Sequence, residues 1–159
     1  MTLEFIVPGL GEEQSEKVVG ILQTELEELN DLALLLKHAH WNVKGKNFIA
    51  VHEMLDPQID IVRDAVDTVA ERIATLGGSP NGTADAVVAN KNHVMYPILK
   101  RECALEHLKA VDSLYVTAIT ALRKRINELD ELDVISSNIL QDVTQHLELF
   151  QWFMRSHLV

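Results

Sequence analysis

Two histidines and three carboxylates in the first half of the chain have the residue types and the spacing of metal ligands. The histidines are His40 and His52, and the carboxylates are Asp56, Asp67 and Glu71. Two pairs, His52/Asp56 and Asp67/Glu71, have a spacing of four residues. On a helix this spacing stacks two side chains one turn apart, so both can address one ion. Imidazole and carboxylate ligands together suit a redox metal such as iron better than calcium, which prefers oxygen ligands alone.

Both pairs fall on one predicted helix that begins at Phe48. Its apolar positions recur in alternating steps of four and three residues, which is the spacing of one buried helix face. His52 lies within this stripe. Asp56 and Asp67 each follow a stripe position by one residue and Glu71 follows one by two, along one margin of the same face. The stripe consists of Phe48, His52, Leu55, Ile59, Val62, Val66, Val69, Ile73 and Leu76.

The two pairs cannot reach the same ion within one chain. Asp56 and Asp67 are eleven residues apart, which corresponds to about 16 Å along a helix axis. Ligand atoms lie only ~2.0–2.6 Å from a bound divalent metal, and a kink at Pro57 would not close this gap. Either the pairs belong to two unrelated half-sites, or two copies of the helix run antiparallel across a two-fold axis, with each pair facing the other pair of the second subunit.

His40 extends the predicted site to the preceding helix. The apolar stripe of that helix reaches His40 by a step of four residues from Leu36. A turn over 44–47 follows, in which Asn47 is predicted to cap the next helix. His40 and His52 are therefore expected near the same end of a helical hairpin. The earlier members of the stripe are Leu22, Leu26, Leu29 and Ala33.

The motif across this hairpin closely resembles the Dps family, the ferritin-like mini-ferritins also called DNA-binding proteins from starved cells. The resemblance rests on H-W-N-V-K-G-K-N-F-I-A-V-H-E-M-L-D over 40–56, D-x-x-x-E-R-x-x-x-L-G-G over 67–78 and L-x-x-F-x-W-F-x-x-x-x-L over 147–158. It covers nearly the whole chain. It implies an all-α, ferritin-like four-helix bundle that assembles as a hollow homo-dodecamer.

The resemblance also implies an iron-oxidation (ferroxidase) centre at each dimer two-fold axis. Fe(II) would be oxidised there with hydrogen peroxide, and the Fe(III) product would be stored as a mineral inside the shell, which protects the cell from oxidative stress. Trp41 would lie beside the iron, where an indole can take up an oxidising equivalent, unless it is simply a core residue. The positions that match the family's ligands are His40, His52 and Asp56 from one subunit, and Asp67 and Glu71 from its mate.

The rest of the chain predicts one domain with four long helices. An apolar fraction of 47% with only 5% aromatic residues fits an α-bundle. Residues 1–14 are predicted to form an extended tail, and Ser15 to cap the first helix of a bundle domain over 15–159. A short extra helix, from Ala84 to about Lys91 with Thr83 as its cap, is predicted in a long crossover between helices 2 and 3.

The third long helix is predicted to open at Tyr96 and Pro97, with an apolar stripe from Leu105 onwards. Asp133 is predicted to cap the last helix, whose stripe is expected to include Ile135. Cys103 is expected to be a small buried residue of the third helix.

The remaining titratable residues are predicted to have structural roles. Arg72 is expected to form an ion pair. The acidic residues at the start of the last predicted helix most simply form a solvated helix cap. Alternatively, they line an acidic pore at a three-fold axis that draws Fe(II) inward. These acidic residues are Asp130, Glu131, Asp133 and Asp142. The histidines without comparable partners, expected to be surface or structural, are His38, His93, His107, His146 and His157.

Charge and composition limit the partners. The formal net charge is −10, and Lys17 is the only base among the first twenty residues, so direct DNA binding is not favoured. A nucleoid-binding protein and a metal-dependent hydrolase, in which the same ligands would activate water, stay as alternatives. The sequence contains no apolar run of about 18 residues and no recognisable signal peptide. With one cysteine, these features predict a cytoplasmic protein without a membrane partner.

Overall fold

The computed structural model describes residues 3–159 and confirms a bundle of four long helices with one short helix in the crossover. The first helix packs mainly against the second and the third long helix mainly against the last, and the two pairs enclose one core. The elements are α1 Glu12–Asn42, β1 Val43–Lys44, α2 Phe48–Thr75, α3 Ala84–Ala89, β2 Glu102–Cys103, α4 Ala104–Asp130 and α5 Val134–His157.

The apolar stripes predicted for α1 and α2 form the part of the core that carries the candidate ligands. Every predicted stripe position of α1 is buried, including His40 at 6% exposure. Along α2, the stripe positions from Leu55 to Leu76 are buried except for the half-buried Val66, while Phe48 at the start of the helix stays exposed. Asn47 precedes α2 as predicted, but its side chain makes no capping hydrogen bond, because its backbone adopts the left-handed conformation with φ 64°.

The first helix begins earlier than predicted. Its first residue is Glu12 and its N-cap is Gly11, so the prediction that Ser15 caps the helix was wrong. The amide of Gly11 donates a hydrogen bond to Oε1 of Gln14 at 3.2 Å, which satisfies a free backbone donor at the start of the helix. Ser15 is instead fully buried within α1.

The N-terminal segment is consequently shorter than the predicted tail over 1–14, and it packs on the bundle. The amide of Glu4 donates to the carbonyl of Gly77 at 2.8 Å, and Leu3, Val7 and Leu10 pack against the core. Gly77 has φ +83°, and a Cβ there would overlap the backbone of Phe5. Positions 1 and 2 of the predicted tail lie outside the described residues.

The third long helix, α4, begins at Ala104 rather than at Tyr96, so this prediction was wrong. Residues 102–103 pair as a parallel strand with 43–44, directly after α1. This pairing holds Cys103 in an extended conformation, and Cys103 becomes the half-buried N-cap of α4 instead of a helical core residue. Leu105 points outward with 45% exposure.

The last helix begins where predicted. The carboxylate of Asp133 accepts hydrogen bonds from the amides of Ile135 at 3.3 Å and Ser136 at 3.2 Å, and so satisfies two free donors of α5. The predicted stripe was wrong at Ile135, which is 58% exposed, because the buried face instead starts at Ser136 and continues through Leu140. In the crossover, Thr83 caps α3 as predicted.

Within residues 3–159, none of the helices has the length and the hydropathy needed to cross a lipid bilayer.

Candidate metal centre

Three of the five predicted ligands come together at one end of the α1/α2 hairpin. His40, His52 and Asp56 each offer a ligand atom, and these atoms all lie within 4.8 Å of one another. His40 is buried, whereas His52 and Asp56 are half-buried. The short turn between α1 and α2 brings the last turn of the first helix beside the second turn of the next, as the sequence predicted.

Reciprocal hydrogen bonds orient the two imidazoles. Nδ1 of His40 donates to the carbonyl of His52 at 2.9 Å, and Nδ1 of His52 donates to the carbonyl of His40 at 3.0 Å. A carbonyl oxygen can only accept, so each Nδ1 carries the hydrogen and each Nε2 keeps a free lone pair. The rings stack with centroids 3.7 Å apart and planes 22° apart. Such backbone bonds are the usual means of fixing the tautomer of a metal-binding histidine.

The same hydrogen bonds also satisfy the backbone carbonyl of His40 at the end of α1. His40 lies in the last turn of the helix, where carbonyls lack a helical donor. The ring of His52 supplies that donor, so the two helix ends are held together by the same side chains that could bind a metal.

The carboxylate of Asp56 faces a lysine that the sequence analysis missed. Nζ of Lys37 lies 2.7 Å from Oδ1 of Asp56, and Nδ1 of His40 lies 3.4 Å from the same oxygen. The hydrogen bond from Lys37 is the main cause that lowers the pKa of Asp56, so this carboxyl is ionised at neutral pH. Lys37 precedes His40 by three residues, and this one-turn spacing was the signal that could have revealed it.

Asp67 and Glu71 lie on the outer surface of α2, away from the other three predicted ligands. Both side chains are exposed, and neither belongs to a metal-ligand cluster within residues 3–159 of one chain. Their place in a site shared by two subunits therefore stays a prediction.

Large apolar side chains are exposed around the three clustered ligands. Trp41 is 65% exposed, Ile49 56% and Phe48 37%, and the ring of Phe48 lies 5.1 Å from that of His52. The alternative that Trp41 is a core residue is therefore wrong for the single chain. An exposed apolar cluster of this kind is typical of a surface that another protein covers.

Arg72 and Asp133, which the sequence also drew attention to, bind each other at the start of α5. Arg72 forms the predicted ion pair, with its guanidinium 2.7 Å from Asp133. Burial alone would raise the pKa of Asp133, but hydrogen bonds from Ser136 and Arg72 hold it below its usual value. Asp133 is thus a helix cap as predicted, although buried rather than solvated, and its alternative role at a pore stays a prediction. Asp130, Glu131 and Asp142 are exposed, and their pore role stays a prediction.

The remaining histidines lie outside the cluster of His40, His52 and Asp56. Nε2 of His38 donates to the carbonyl of Ile98 at 2.9 Å, and Nδ1 of His93 lies 2.9 Å from the carboxylate of Asp31. His146 is 3.9 Å from Asp142, and His157 is exposed.

The chain is similar to several known proteins over nearly its full length. The family model of the ferritin-like domain matches residues 19–159. The DNA protection during starvation protein of Mycolicibacterium smegmatis is 47% identical over 154 residues, which cover 97% of this chain and 84% of that protein. The fine tangled pili major subunit of Haemophilus ducreyi is 49% identical over 155 residues, which cover 98% and 82% of the two chains. The structure of DpsA14 from Streptomyces coelicolor has a TM-score of 0.95 and 46% identity, with 99% of this chain and 94% of that chain covered.

Proposed function

This chain belongs to the Dps family of ferritin-like proteins, and we propose that it is a ferroxidase that oxidises Fe(II) with hydrogen peroxide and stores the ferric product in a hollow shell. Membership of the family places the chain among proteins of iron storage and protection. The observation that carries the finer proposal is the cluster of His40, His52 and Asp56, with both imidazoles held in the tautomer that can bind a metal.

Fe(II) is the substrate of the proposed site. The Nε2 atoms of His40 and His52 bind it, and the ionised carboxylate of Asp56 contributes negative charge. Carboxylate ligands favour Fe(III) over Fe(II), because the more highly charged ion gains more from an anionic oxygen. The site therefore lowers the free energy of oxidation. In this proposal the exposed indole of Trp41, the residue after His40, accepts a stray oxidising equivalent.

A second subunit completes the site in this proposal. The roughly 16 Å of helix between the two ligand pairs prevents one chain from using both. An antiparallel two-fold contact places Asp67 and Glu71 of the partner subunit opposite His52 and Asp56, and it covers the exposed apolar cluster around Trp41. Each pair of subunits then holds two identical sites, and six such pairs form the dodecamer that the family resemblance implies.

The charge of the chain supports iron handling over nucleic-acid binding. A formal charge of −10 per chain, repeated around an assembly, attracts cations and repels phosphate backbones. Retention of duplex DNA in a gel shift, falling steeply with salt, would favour the nucleoid-binding alternative instead. Ester or amide turnover by the metal-loaded protein would favour the hydrolase alternative. A cytoplasmic location stays a prediction.

Anaerobic Fe(II) titration followed by hydrogen peroxide tests the proposal. We expect saturable Fe(II) binding to the assembled protein, rapid formation of Fe(III) on peroxide addition, and particles whose mass grows with added iron while their outer size stays constant. The double variant His40→Ala, Asp67→Ala should assemble normally and lose the rapid oxidation. Unchanged oxidation kinetics in that variant would refute the assignment of the site.

A further inference from the structure

The crossover contains a buried tyrosine whose hydroxyl contacts an imidazole that is not a candidate ligand. Tyr96 lies between α3 and α4 with 5% exposure, and His107, in the first turns of α4, has 1% exposure. The hydroxyl of Tyr96 is 2.9 Å from Nδ1 of His107, and the two rings lie nearly parallel, with centroids 5.9 Å apart. This distance is within the range for direct proton transfer between two side chains.

The surroundings of His107 leave Nδ1 ready to accept a proton. Burial is the main cause that lowers the pKa of His107, so the ring is neutral near pH 7. Among residues 3–159, Nε2 has no hydrogen-bond partner of normal geometry, while the backbone of Asn42 acts against burial and raises the pKa of the ring. Because a carbonyl attracts an N–H group, this neighbour favours the hydrogen on Nε2 and the lone pair on Nδ1. The Tyr96 hydroxyl then donates to that lone pair.

We propose that Tyr96 is a redox-active tyrosine, which gives up one electron while its phenolic proton moves to Nδ1 of His107. In this step the O–H bond of Tyr96 breaks, an N–H bond forms on the imidazole, and a neutral tyrosyl radical remains beside an imidazolium. Without the imidazole, one-electron oxidation would leave the phenol as a radical cation in a buried site, which is strongly unfavourable. The pair therefore makes one-electron oxidation of this tyrosine possible inside the protein.

The oxidant in this proposal rests on the proposed function. When a single Fe(II) ion meets hydrogen peroxide, the products are Fe(III), hydroxide and a hydroxyl radical. The hydroxyl radical takes one electron from Tyr96 and becomes hydroxide. A further Fe(II) ion then reduces the tyrosyl radical and becomes Fe(III), while the proton returns from His107 to the phenolic oxygen. The net result is that a damaging radical is consumed and one more iron ion is oxidised.

Tyr96 is placed to exchange electrons with the metal half-site. The ring of His38 meets the ring of Tyr96 edge to face, with centroids 5.3 Å apart and planes 70° apart. His38 lies two residues before His40 on α1, about 3 Å along the helix axis and on a different side of the helix. One aromatic ring and a short piece of helix backbone therefore separate Tyr96 from a candidate iron ligand.

The chain provides a matched control, because it has only two tyrosines. Tyr115 is buried, like Tyr96, but its hydroxyl donates to Oε1 of Gln58 at 2.7 Å. An amide oxygen is a hydrogen-bond acceptor without being a useful base, so within residues 3–159 the Tyr115 hydroxyl is bonded to no base that can take its proton. The two residues share burial and differ in the proton acceptor.

Radical detection in two arms tests the proposal on the full-length assembled protein, grown with ring-deuterated or ordinary tyrosine. In the first arm, Fe(II)-loaded protein is mixed with hydrogen peroxide, frozen rapidly and measured by electron paramagnetic resonance. In the second arm, metal-free protein is oxidised by photogenerated ruthenium(III) tris-bipyridine and measured in the same way. We expect a tyrosyl signal, narrowed by ring deuteration, in the wild type and in Tyr115→Phe, and its loss in Tyr96→Phe. His107→Gln, which keeps a polar side chain without a base, should also lose it.

A signal that persists in Tyr96→Phe, or a wild type without any tyrosyl signal in the photochemical arm, would overturn the proposal. A signal confined to the photochemical arm, with normal Fe(III) formation in the other, would overturn the link between Tyr96 and iron. Failure to form Fe(III) with peroxide would instead count against the proposed function, and the photochemical arm would still decide the role of the tyrosine. Tyr96→Phe removes one hydroxyl and keeps the ring, so the shell should assemble in every comparison.

Discussion

Complementation between two inactive variants offers a sharp test of the shared site. One variant lacks the first ligand cluster, with His40→Ala and His52→Ala, and the other lacks the second, with Asp67→Ala and Glu71→Ala. Each should bind iron poorly and oxidise it slowly when assembled alone. In a mixed pair of subunits, one of the two sites loses both clusters, and the other receives an intact cluster from each chain. The two-fold geometry therefore predicts that mixing restores activity.

The size of the recovery follows from the same geometry. After equimolar dissociation and random reassembly, half of the subunit pairs are mixed and each holds one intact site of two, so roughly a quarter of wild-type oxidation should return. The assay is the initial rate of Fe(III) formation after peroxide addition, with the two variants assembled separately and then combined as the control. If the ligands of one chain formed the whole site, reassembled mixtures would stay as inactive as the separate variants, and the reasoning from the 16 Å separation would be refuted.

Three further substitutions test other parts of the structure. Lys37→Met removes the ammonium group that pairs with Asp56 at 2.7 Å. Since a partly exposed ion pair is worth up to ~1 kcal/mol, Fe(II) should bind about two- to fivefold more tightly to this variant. An unchanged dissociation constant for Fe(II) would contradict the idea that this lysine competes with the metal for Asp56. Burial raises the pKa of Glu25 from 4.5 to about 7 in the folded chain, against the effect of its arginine partner. The unfolded chain therefore releases this proton first, and the free energy of unfolding should fall between pH 4.5 and 7, by on the order of 3 kcal/mol. Glu25→Gln should remove this fall in urea-unfolding curves, and an identical pH dependence in both proteins would argue against the shift. Gly77→Ala should destabilise the protein by about 1–3 kcal/mol, because φ is +83° and a Cβ would overlap the N-terminal segment. Gly82→Ala, where a Cβ meets no atom within 4 Å, is its control in thermal unfolding, and equal losses in both variants would show that the contact is unimportant.

Local patterns in the sequence were enough to identify the long helices and the half-site they carry. The steps of three and four residues through Leu36 to His40, and from His52 onward, depend only on the pitch of a helix. A short turn between two such helices then leaves little choice about which ends meet. Caps such as Asp133 were equally visible, because a side chain bonds to amides only two or three residues away.

Features that depend on partners distant along the chain were predicted wrongly or missed. The start of α4 moved from Tyr96 to Ala104 because 102–103 pair with a strand more than fifty residues earlier. The spacing of the apolar residues in α5 also fits burial of either of two neighbouring helix faces, and Ile135 lies on the face that is exposed. The spacing of apolar residues along a helix does not specify which other element packs against them.

The sequence by itself determined which residue types share a helix face, and hence the fold class and the cluster of His40, His52 and Asp56. Only the tertiary structure decided which atoms of those residues are free. The hydrogen bonds from each imidazole to the other residue's carbonyl, and the contact between Lys37 and Asp56, exist only after the two helices have closed on each other. Helix periodicity is set by the local backbone, whereas protonation and hydrogen bonding are set by neighbours in space, so the second kind of information becomes available only with the folded chain.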